Sequence, residues 1–125
     1  MSNIMAILLN GVAQLEYDRS KPLPDHQAAS LDKMDKKMDA GIDLDEGLVT
    51  NPEIQQRAQF VAANLVHALK SNDEAMAAAL CSYLADRLPD LQQVKIDESN
   101  QGMIIDLVFD EEYKKQVAVD IPKLH

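Results

Sequence analysis

The sequence predicts an α+β protein, with about four helices over residues 1–89 followed by a three-stranded antiparallel meander over residues 90–125. Two observations carry this reading. Apolar residues recur at helical spacing up to Pro89 and at a spacing of two after it, and prolines and glycines punctuate the segments between. At 125 residues, with 46% apolar and 26% charged residues, the chain suits one folded domain whose core needs neither disulfide nor metal. Trp is absent and aromatics make up 4%, so that core is aliphatic and draws on six methionines.

Ile4, Ile7, Leu8, Gly11, Val12 and Leu15 fall on one helical stripe, which predicts a first helix over residues 3–17. Pro22 and Pro24 stop it, and Pro24 opens a second helix over residues 24–40 that ends at Gly41. That helix has a thin apolar stripe of Leu31, Met34 and Met38 among Asp and Lys residues. It reads as a surface helix docked by one narrow seam, or as a methionine-bearing face that meets another protein. Residues 41–50 alternate briefly, as a short extended loop would. Asn51 as N-cap and Pro52 at the first helical position then start a third helix carrying Ile54, Ala58, Val61, Leu65 and Ala68 on one face. Ser71 and Glu74 predict a capping box for a fourth helix that Pro89 terminates, and so tight a connection makes the last two helices antiparallel neighbours.

Beyond Pro89, Val94 and Ile96 alternate with polar residues, Ser99 to Gly102 form a turn, and Met103, Ile105, Leu107 and Phe109 alternate in a second strand. After the acidic turn at Asp110, Glu111, Glu112 and Tyr113, a third strand places Val117, Val119 and Ile121 on one face.

The formal charge of −9 argues against nucleic acid and anionic membrane surfaces as partners. A lone cysteine, Cys81, allows no internal disulfide and sits among alanines like a small buried hydrophobe. The apolar run 4–9 is too short to span a bilayer and lacks a basic flank, so a cytoplasmic protein is expected.

No motif carries chemistry. His26, His67 and His125 have no second ligand at metal spacing, and the acidic loop from Asp39 to Glu46 fails calcium-loop spacing, with Gly47 and Ile54 where ligands would fall. Cys81 paired with His67 would lack the electropositive opening that a reactive thiolate needs. The four glycines form no phosphate loop. No metal or cofactor is expected.

One polar cluster remains: Glu16, Tyr17, Asp18 and Arg19, followed by Asp25 and His26 across the proline turn. It is expected either to pin that turn or to line a small-molecule or catalytic site. The expected role is therefore a protein-interaction, accessory or regulatory factor, with a binding domain or enzyme at the polar turn as the alternative. Met34, Met38, Ile104 and Val108 form its candidate contact surface. Ile104 and Val108, on the second face of the middle strand, point to homodimerisation through the sheet.

Overall fold

A computed structural model describes residues 3–44 and 47–114. The sequence expectation was four helices and a meander. The described chain instead holds three helices, a mixed four-stranded sheet and a two-stranded sheet.

The largest correction is at the N-terminus. Residues 3–17 are not a helix but the hairpin β1 (Ile4–Leu9) and β2 (Val12–Asp18). Asn10 and Gly11 turn the chain with φ of 51° and 83°, the pair of left-handed residues that a two-residue hairpin turn requires. The helical spacing in this segment is coincidental. Met5, Ala6, Ile7 and Leu8 are all buried, because β1 is covered on both faces and needs no alternation.

The second predicted helix is present as α1 (Asp25–Asp39), with Pro24 in the N-cap position. The brief alternation after it is a small hairpin, β3 (Ile42–Leu44) and β4 (Gly47–Val49). Then come α2 (Ile54–Lys70) and α3 (Glu74–Arg87). Their caps differ from expectation. Glu53, not Asn51, begins α2 and exchanges hydrogen bonds with Gln56 as a capping box. Asp73, not Ser71, caps α3 by accepting from the Met76 amide, while the Ser71 hydroxyl donates to the carbonyl of His67 at the end of α2.

The strands β5 (Gln93–Ser99) and β6 (Gly102–Val108) form the expected hairpin. It is half of a larger sheet in the order β2-β1-β5-β6, where β1 and β5 pair in parallel. The three helices lie between these two strands in sequence, and such a crossover is what a parallel pair requires. The third predicted strand, 116–121, lies outside the described residues, as do Asp45, Glu46 and His125.

One sheet face packs Met5, Ile7, Val94 and Ile96 against Leu65, Leu84 and other helical residues. Residues 109–114 turn back over the opposite face. There Tyr113 covers Ala6 and Leu8 and donates its hydroxyl to Glu16 Oε2 at 2.6 Å, while the carbonyl of Glu111 accepts from Gln93 Nε2 at 2.9 Å. None of the described helices is long and apolar enough to cross a membrane.

Candidate functional site

Strand geometry disperses the polar cluster. Alternation along β2 sends Tyr17 towards the helical core and sets Glu16 and Asp18 on the other face. Glu16 receives Tyr113, and Asp18 accepts from the hydroxyl and amide of Ser20 at 2.6 and 2.9 Å, bonds that lower its pKa. Arg19 reaches away from both. Its guanidinium donates to the carbonyls of Ala85 at 3.3 Å and Leu88 at 2.9 Å, capping the C-terminal end of α3. Asp25 and His26 stand exposed in the first turn of α1. None of these six residues lines the helical groove or the cleft beneath residues 109–114.

The residues that do converge are those of the α1 stripe. Met34 and Met38 form one wall of a groove of about 360 Å³ between the three helices. Phe60, Val61 and Ala68 of α2 form the second wall, and Met76 and Leu80 of α3 the third. Met38 is buried at the floor, Met34 is partly covered, and Met76 is 48% exposed at the mouth. The polar rim comprises Lys37, Asn64, His67, Ser71 and Asp73. Asp73 is occupied at the α3 cap and Asn64 donates to the carbonyl of Phe60, whereas the exposed Lys37 and His67 side chains have no polar partner among the described residues.

A charged network fixes α1 as a wall of this groove. Asp35 Oδ1 accepts from Arg57 Nη1 at 3.0 Å and from the Tyr83 hydroxyl at 2.5 Å, and Oδ2 accepts from Arg87 Nε at 3.0 Å. Arg57 also pairs with Asp39, and Arg87 with Asp32 and Asp86. Partial burial opposes the charge on Asp35, but the bonds from Tyr83, Arg57 and Arg87 outweigh it and hold its pKa below the usual carboxylate value. Burial, reinforced by the bond to Asp35, pushes the Tyr83 phenol well up. Asp32, Asp35 and Asp39 are thereby engaged, while Lys33, Lys36 and Lys37 remain exposed.

The remaining candidates offer no reactive set. Cys81 is buried, and desolvation pushes its thiol up to about 12. Among the described residues no group of three or more His, Cys, Asp or Glu side chains is placed to hold a metal ion. Ile104 is 69% exposed, but Val108, expected beside it on an open face, is only 8% exposed. The shared surface expected from Ile104 and Val108 is therefore reduced to its Ile104 end. No protein-family model, curated protein or solved structure matches the chain.

Proposed function

We propose that this protein is a non-catalytic binding module that holds an amphipathic helix of a protein partner in the groove between α1, α2 and α3. The supporting observation is the methionine lining, in which Met34 and Met76 leave apolar, adaptable surface uncovered above the buried Met38. Charge selects the partner's flanks. With Asp32, Asp35 and Asp39 turned to arginines, the groove side of α1 presents Lys37 as its charged rim residue, so the partner helix carries a carboxylate beside its apolar stripe.

The absence of tryptophan from the chain makes a direct assay simple. A synthetic amphipathic helix with a leucine stripe, glutamate flanks and one tryptophan should show a saturable blue shift of its fluorescence on titration with the protein. Met76→Glu should weaken binding by at least about tenfold by placing a charge at the apolar mouth. No saturable shift, or equal affinity for the Met76→Glu variant, rejects the groove as the partner site. A second reading rests on volume, since about 360 Å³ lies within the range of small-ligand pockets. A long-chain carboxylate that displaces the peptide competitively would favour it.

A further inference from the structure

The outer edge of β6, unpaired among the described residues, offers a second binding surface, and it does not depend on the groove. Both edges of a sheet present unpaired backbone groups, and proteins blunt them with lysine, proline, bulges or cover. The β2 edge has such devices. Its register with β1 is broken between Ile7 and Leu8, and Glu16 and Asp18 punctuate it. The β6 edge has no bulge, and its one charge is Asp106. It pairs with β5 without interruption from Ser99↔Gly102 to Gln93↔Val108, contains no lysine or proline, and has no strand on its outer side among the described residues.

Beneath this edge on the helical side lies a cleft of about 990 Å³ between β6, β3 and α2. Leu44, Met103 and Ile105 give it apolar surface, and Gln55 and Gln59 of α2 line it with carboxamides that can both donate and accept. A strand added to β6 would point every second side chain into this cleft and the alternate ones to the other face. On that other face Ile104 lies opposite Asp97 and two residues from Asp106. Both carboxylates are exposed, and neither has a polar partner among the described residues.

We propose that β6 receives an extended peptide of another protein in which apolar residues, directed into the cleft, alternate with basic residues directed to Asp97 and Asp106. Backbone pairing supplies affinity and the alternation supplies register. A second copy of this chain fits less well, because each copy has a net charge of −9 and β6 would bring another Asp106 to the same short edge.

The test uses the whole protein and a short fluorescein-labelled peptide of alternating valine and lysine, read by fluorescence anisotropy. Saturable binding is expected. Methylating alternate backbone nitrogens on one edge of the peptide preserves its sequence and charge, so a loss of about tenfold or more isolates strand pairing from simple attraction. Ile104→Lys should cause a similar loss with an unchanged melting temperature, since Ile104 is exposed. No saturable binding, or equal binding of the methylated peptide, overturns the proposal. So does a parent protein that sediments as a dimer and becomes monomeric with Ile104→Lys, because the edge would then belong to a second copy.

Discussion

Replacing Asp35 with Asn tests whether electrostatics, and not apolar burial, hold α1 in place. The side chains are nearly the same size, so packing is preserved while the charge is lost. The Asn carboxamide offers one acceptor oxygen where the carboxylate has two. Whichever way it turns, its NH₂ meets an arginine N–H, either Arg87 Nε or Arg57 Nη1. A hydrogen bond to a charged group contributes about 1.5–3 kcal/mol. Arg57 keeps Asp39, and Arg87 keeps Asp32 and Asp86, so the losses are not additive. Asp35 is also 27% exposed at its side chain, and water can replace part of what is lost. The expected destabilisation is about 2–3 kcal/mol, measurable as a lower urea midpoint at unchanged slope. The pH dependence gives a second, independent readout. The folded-state pKa of Asp35 lies below its ordinary 3.8, so its contribution is complete above about 3.8 and is lost as pH falls towards the folded value. The Asn variant should lose stability at neutral pH and show a flatter acid limb below pH ~4. A urea midpoint equal to the parent's at pH 7, together with an unchanged acid limb, would refute the claim that this carboxylate anchors α1.

One further substitution and one labelling experiment probe other parts of the fold. Gly11→Ala meets no atom within 4 Å, so its cost is that of holding an L-residue at φ +83° and should be about 1 kcal/mol in thermal or urea unfolding. A neutral effect would mean that the β1–β2 turn does not depend on glycine. Cys81 should react with a thiol reagent at pH 8 only through opening of the core, at a rate that climbs with urea, because burial raises its pKa to about 12. Stoichiometric labelling within the mixing time of native protein would contradict its place in the core.

What could be read from the sequence depended on how local each signal was. The helices α1, α2 and α3 and the β5–β6 hairpin have their periodicity and their stops within the segment itself. The N-terminal hairpin had a local signal too. Asn10-Gly11 between two apolar runs is a strong two-residue turn marker, and the helical stripe through Ile4, Ile7, Leu8 and Leu15 outweighed it. That stripe deceives because β1 is central and buried on both faces, so its apolar residues have no period to report. The parallel pairing of β1 with β5 joins residues separated by three helices, and no segment announces it. Arg19 was misplaced for a related reason. On a helix it would stand beside Glu16 and Asp18, but past the end of a strand it reaches the last carbonyls of α3.

The candidate site follows from a feature of α1 that composition shows and spacing alone does not explain. An apolar stripe of Leu31, Met34 and Met38 is too narrow to dock a helix of this length by burial, and only Leu31 and Met38 are in fact buried. The deficit is met on one flank, where Asp32, Asp35 and Asp39 recur at helical spacing and meet arginines that lie 18 to 55 residues away in the chain. Charge pairing fixes position without needing the apolar side of α1 to be covered completely. Met34 is consequently left at a groove wall with Met76 across from it, and Lys37 remains at the groove rim. The narrow stripe and the Asp repeat are thus one arrangement, in which the helix is anchored by charge on one flank and its methionines line the groove.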